Sequence, residues 1–94
     1  MTQDFIDEVV EKAGKVVVKF GAEWCSPCRM MKPILSQLAE DNITVIDVDA
    51  DTHPEIMAEY EVTSLPTMIC FNNGENVGTV MGAVPKNVIV AKFN

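Results

Sequence analysis

The chain reads as an α/β fold: a mixed β-sheet flanked by helices on both faces. Three observations predict it. A β-branched apolar run, Val16-Val17-Val18-Lys19-Phe20, is followed by the turn Trp24-Cys25-Ser26-Pro27-Cys28 and then by apolar residues at helical spacing, Met30, Met31, Ile34, Leu35, Leu38 and Ala39. A second apolar run, Ile43, Val45, Ile46 and Val48, comes next, so strand, helix and strand make a right-handed parallel crossover. Finally, strand-like runs at 67–71 and 77–81 flank Asn72-Asn73-Gly74, a hairpin signal that makes this pair antiparallel.

Taken from the N-terminus, Phe5, Ile6, Val9, Val10 and Ala13 form a helical stripe, opened by Thr2 as N-cap and stopped by Gly14. The first strand covers about 15–20. After the cysteine turn one long helix runs to about Glu40, and Pro33 inside it lacks a backbone donor, so a kink is expected there. The run 43–48 is a second, largely buried strand. Pro54 with Glu55 opens a short helix ending near Tyr60. The two hairpin strands follow, and Pro85 starts a last helix carrying Val88, Ile89 and Val90. No linker, repeat or low-complexity segment divides the chain, so residues 1–94 are expected to form a single domain.

A chain of 94 residues buries about 60 to 65 % of its unfolded surface, which leaves no room for a second core. Its hydrophobic content of 48% is ordinary for globular proteins, and no apolar run approaches the length of a membrane span. The start, Met1-Thr2-Gln3-Asp4-Phe5, is acidic and amphipathic and lacks the basic, then apolar, pattern of a secretory signal. A cytoplasmic setting follows, in which cysteines are catalytic or free rather than structural. Seven basic against fourteen acidic residues give a net charge of −7, which argues against nucleic acid and anionic membranes as partners. Asp47, Asp49 and Asp51 alternate along a strand and just beyond it; they read as a solvated edge, because a calcium loop needs more oxygen ligands and a turn glycine.

The chemistry is concentrated in the two-cysteine turn. Cys25 falls near the N-cap of a helix, where unpaired N–H groups and the positive end of the helix dipole favour thiolate over thiol, so it is the expected attacking sulfur. Cys28, three residues on, lies on the same side of the first turn, near enough to close a disulfide, and is the expected resolving sulfur. As a structural staple so short a loop would contribute only about 2 kcal/mol, against about 3 for one of roughly fifteen residues. A zinc site would need Cys70 and His53 as further ligands, and neither stands in a ligand-type spacing. Cys70, within Met68-Ile69-Cys70-Phe71, reads as a buried, inert residue, and His53 before Pro54 as a capping or solvent-facing one. The six methionines read as core filler, with Met30 and Met31 beside the turn as candidates for an adaptable docking face.

At this point the sequence resembles the thioredoxin family, in matching order over nearly the whole chain. The resemblance is carried by Phe20, Ala22 and Glu23 leading into Trp24-Cys25-Ser26-Pro27-Cys28-Arg29, by Met31-Lys32-Pro33, Asp47-Val48-Asp49 and Val62-Thr63-Ser64-Leu65-Pro66-Thr67, by Phe71 with Gly74, and by Gly82-Ala83. It implies a thioredoxin-like fold with four strands in the order 2-1-3-4, the short form without the N-terminal strand of most members. It further implies a cis bond before Pro66, which lies against the disulfide, and a substrate-binding surface formed by Trp24, Leu65, Pro66 and Gly82, where an extended segment pairs with backbone. The implied activity is that of a protein-disulfide reductase: the Cys25 thiolate attacks a substrate disulfide and Cys28 resolves the mixed disulfide. No metal or organic cofactor enters that exchange. The expected partners are disulfide-containing proteins and an NADPH- and flavin-dependent thioredoxin reductase, with the chain acting as a monomer in cytoplasmic electron transport.

Three departures modify this expectation. Lys19 stands where the family usually has a buried aspartate that accepts a proton when the second cysteine attacks; a buried ammonium must pair with a carboxylate, deprotonate, or extend its head group to water. The sharper expectation is that Lys19 stabilises thiolate and makes the disulfide more oxidising. Ser26 replaces a glycine between Trp-Cys and Pro-Cys, and its hydroxyl is placed to hydrogen-bond backbone at the helix start. Gly21 stands where many members carry an aromatic, altering the surface around the cysteines. The alternatives are a glutaredoxin-like protein recharged by glutathione, and a non-catalytic binding module that uses the fold to hold a partner.

Overall fold

In the computed structural model, which describes residues 1–94, every expected element but one forms, with boundaries set by local chemistry. The Thr2 hydroxyl accepts the Phe5 N–H at 3.2 Å and starts α1 (Gln3–Lys12). Strand β1 (Lys15–Gly21) leads into the cysteine turn. The single kinked helix expected next is instead two helices, α2 (Ser26–Met30) and α3 (Lys32–Glu40), separated at Met31. Pro33 has no N–H to give to the Arg29 carbonyl, so the ladder fails there and the Leu35 N–H resumes it on Met31 at 2.9 Å.

Strand β2 (Thr44–Asp49) and α4 (Pro54–Glu59) follow, then β3 (Thr67–Asn72) and β4 (Glu75–Met81). Asn73 and Gly74 at φ 53° and 86° close the β3–β4 hairpin; both central residues of a tight two-residue turn need φ above zero, which Asn and Gly supply. The fourth strand starts two residues earlier than its apolar run, because the turn is only two residues long. The chain ends in α5 (Lys86–Val90) and a 3₁₀ turn, Ala91–Phe93.

The sheet order is β2-β1-β3-β4, as expected, with β1 and β2 parallel and the other two pairings antiparallel. Alternation along β1 divides the core into two layers. Val16, Val18 and Phe20 pack with Ile6 and Val10 of α1 and Ile56 of α4. Val17 packs on the opposite face with Leu35 and Leu38 of α3 and Ile89 of α5. Lys19 shares the face of Val17 and so points toward the α2–α3 break. Four residues of the expected stripes lie outside the core: Phe5, Ala13, Met30 and Ala39 are exposed, since the helices each bury a narrower face than the apolar pattern suggests. No helix is long and apolar enough to cross a membrane.

Candidate active site

The N-cap of α2 is Cys25 itself, in extended conformation, and its Sγ accepts the Cys28 N–H at 3.3 Å. A sulfur that caps a helix receives an amide dipole that a thiolate uses better than a thiol does. Pro27 falls in the first turn, where its missing N–H costs nothing. Cys25 and Cys28 form a disulfide, with Cα atoms 5.2 Å apart, inside the usual range for such bonds. Cys25 is 6% exposed and Cys28 1%. The pair can thus hold a two-electron couple in which one cysteine is more exposed than the other.

On one side of the disulfide the lining is apolar. Ala22 packs with both cysteines, and Leu65 lies against them. The Leu65–Pro66 bond is cis, and the Pro66 carbonyl accepts the Gly82 N–H at 2.8 Å, which ties the β4 end to this loop. Trp24 is 69% exposed, with its indole N–H donating to Asp51 at 2.9 Å. Trp24 thus belongs to the cysteine turn, Leu65 lies against it, and Gly82 is tied to the same loop through Pro66.

On the other side a cleft of about 620 Å³ reaches Cys28, lined by charged residues of both signs, among them Lys19, Arg29, Lys32 and Asp47. Lys19 is 4% exposed and resolves the choice left open by sequence: its Nζ pairs with Asp47 Oδ1 at 3.4 Å, across the parallel register pair Lys19↔Asp47. Arg29 braces the turn, donating to the Glu23 carbonyl at 2.8 Å and to Ser26 Oγ at 3.1 Å. The Ser26 hydroxyl therefore meets a guanidinium rather than the backbone expected for it, because Arg29 lies three residues on along the same face.

The acidic run Asp47, Asp49 and Asp51 is more than a solvated edge: Asp47 pairs with Lys19, Asp49 accepts the Asp51 N–H at 2.9 Å, and Asp51 orients Trp24. No group of three or more His, Cys, Asp or Glu side chains is placed to hold a metal ion. Met30 is exposed beside the turn, while Met31, expected to share a docking role, is buried in the core. His53 occupies the N-cap of α4 without a side-chain cap; its Nδ1 lies 2.8 Å from the Thr52 hydroxyl. Cys70 is fully buried, and burial pushes its thiol up to about 11, which leaves it inert at neutral pH.

The sequence model of the thioredoxin family matches residues 1–94. A thioredoxin from Pyropia yezoensis is 42% identical over 93 residues, covering 96% of this chain and 87% of that protein. A bifunctional thioredoxin reductase/thioredoxin from Mycobacterium leprae is 38% identical over 89 residues, covering 92% of this chain and 19% of that protein. The structure of a mutant thioredoxin from Halobacterium salinarum superposes with a TM-score of 0.88 at 31% identity, over 95% of this chain and 80% of that one. Sequence and fold agree with the disulfide at the head of α2, and the chain belongs to the thioredoxin family of thiol–disulfide oxidoreductases.

Proposed function

We propose that the chain reduces disulfides in other proteins, with Cys25 as nucleophile and Cys28 as resolving sulfur. The observation that carries the assignment is the asymmetry of the pair: Cys25 caps the helix, receives an amide N–H and is the more exposed, whereas Cys28 is 1% exposed. Cys25 thiolate attacks a substrate sulfur and forms a mixed disulfide, and Cys28 then displaces the substrate, leaving the Cys25–Cys28 bond and a reduced substrate. Trp24, Leu65, Pro66 and Gly82 form the surface on which an extended substrate segment docks.

Returning the dithiol requires an external reductant. An NADPH- and flavin-dependent reductase fits this role, and the Mycobacterium leprae relative, whose name joins a reductase and a thioredoxin in one chain, supports it. The protein is read as a monomer working in cytoplasmic electron transport. The test is multiple-turnover reduction of insulin. Cys25→Ser is expected to abolish it, and Cys28→Ser to stall as a mixed disulfide visible by intact mass. Sustained turnover by Cys25→Ser would overturn the assignment, and recharging by glutathione alone would replace the reductase with a glutaredoxin-type cycle.

A further inference from the structure

The resolving step requires Cys28, a nearly fully buried thiol, to lose a proton, and the chain carries an ammonium, Lys19, where the family resemblance implies a carboxylate acceptor. We propose that Lys19 faces Cys28 as its electrostatic partner, with Gly21 as the notch that admits it and Asp47 as the anchor that holds it there. The inference rests on Cys28 being the resolving sulfur.

Three distances support it. A methyl group placed on Gly21 would lie 2.8 Å from Lys19 Nζ, 2.8 Å from Lys19 Cε and 3.3 Å from Cys28 Cβ. The ammonium and Cys28 Cβ therefore press on the same face of Gly21, no more than about 6 Å apart, the sum of the first and last of those distances. Any larger residue at position 21 would occupy the volume that the Lys19 head group fills. The two departures from the family pattern are thus one feature: the lysine reaches Cys28 because position 21 has no side chain. Asp47, next to Lys19 in the parallel register, fixes the other side of the head group at 3.4 Å.

The charged groups around Cys28 come from every neighbouring element: Lys19 from β1, Asp47 and Asp49 from β2, Glu23 from the turn, Arg29 from α2 and Lys32 from α3. Arg29 is turned toward Glu23 and Ser26. The Asp47 side chain is 57% exposed, so water screens it, while that of Lys19 is 5% exposed and is screened least. The cation therefore dominates the field at the Cys28 sulfur. In the mixed disulfide, the Cys28 S–H gives its proton to water in the cleft, and the Lys19 ammonium stabilises the thiolate left behind without changing its own protonation. That thiolate attacks Cys25 Sγ, the Cys25–Cys28 bond forms, the Cys25–substrate bond breaks, and the electron pair leaves on the substrate thiolate, which takes a proton from solvent. A fixed cation does here, by stabilising the product of proton loss, what a buried base does by accepting the proton.

The test uses the Cys25→Ser, Cys70→Ala background, which leaves Cys28 as the only thiol. Its titration is followed by ultraviolet thiolate absorbance and by the pH dependence of iodoacetamide alkylation. Lys19→Met, which keeps the volume and removes the charge, is expected to raise the midpoint by about one pH unit, a roughly tenfold loss of thiolate below it. Gly21→Ala meets the flexible end of Lys19 at 2.8 Å and Cys28 Cβ at 3.3 Å, so the lysine head group is displaced and Cys28 gives by a few tenths of an ångström; it is expected to shift the midpoint in the same direction by less. An unchanged midpoint in Lys19→Met, or in Gly21→Ala should the first variant not fold, would overturn the inference. Turnover of insulin by Cys28→Ser would instead remove the resolving role on which it rests.

Discussion

The two sides of the Cys25–Cys28 disulfide differ in almost every physical respect. Toward Trp24, Leu65 and Pro66 the surroundings are apolar, open to solvent at the indole, and follow the family pattern. Toward Lys19 and Gly21 they are charged and recessed, and they depart from it. The comparison teaches that, on the proposed reading, docking and sulfur acidity are handled by separate residues. An apolar open surface can accept many substrate segments but exerts little field on the sulfurs. A buried charge acts on the sulfurs but never meets the substrate. Substitutions on the two sides should therefore change different observables.

The largest effect is expected on the open side. Trp24 places a large, flat, exposed side chain at the centre of the proposed docking surface, where an aromatic anchor contributes about 2 kcal/mol or more to association. Trp24→Ala is expected to lower kcat/KM for insulin by about thirtyfold, mainly through KM, with the reduction potential unchanged. Steady-state kinetics paired with a dithiothreitol redox titration checks this. A shifted potential with unaltered KM would break the separation of the two sides.

The converse holds for the charged side, with a somewhat smaller effect. An ammonium next to Cys28 stabilises thiolate, and thiolate belongs to the reduced state, so Lys19 raises the reduction potential; a carboxylate at the same point does the opposite. Lys19→Asp is expected to lower the potential by about 30 mV, tenfold in the equilibrium constant, and to leave KM for insulin as it was. An unchanged potential would mean that the Lys19–Asp47 pair is electrically silent at the sulfurs.

The same division shows in how much of the molecule could be read from the chain alone. Elements governed by local rules were legible: Thr2 caps α1, Asn73-Gly74 turns the hairpin, and Cys25 stands at the head of α2. The strand order and the cis bond before Pro66 were legible through the resemblance, because that side keeps the family's residues. The break at Met31 was foreseen only as a kink, since pattern alone does not say whether a ladder interrupted by Pro33 bends or parts. That the Lys19–Asp47 pair and the notch at Gly21 form one unit is not legible in the chain. They depend on cross-strand register and on a side chain filling a neighbour's empty space, which no linear spacing encodes. Asp47-Val48-Asp49 on a strand parallel to β1 was the available signal for the pair.

Cys70 supplies the internal control for this comparison, since it is as buried as Cys28 but has no cation held against it in the same way. Burial dominates there and raises its thiol from 9.0 to about 11, with Lys92 opposing only in part. Because the folded value lies above the unfolded one, the folded state retains the proton that the unfolded state loses. The stability contributed is fully present below pH 9 and is lost as pH rises toward 11. Between pH 9 and pH 10 the loss amounts to about 1 kcal/mol. Tyr60, raised by burial and by its hydrogen bond to Asp7, starts to add to the slope as pH approaches its ordinary value of 10.0, but it does so equally in both proteins, so the difference between the parent and Cys70→Ala isolates Cys70. Urea unfolding of the oxidised protein, in which Cys25 and Cys28 do not titrate, is expected to show this loss in the parent and not in Cys70→Ala. Equal slopes in the two would mean that burial without a facing charge leaves a thiol unshifted in this fold, and the contrast drawn with Cys28 would then lose its reference point.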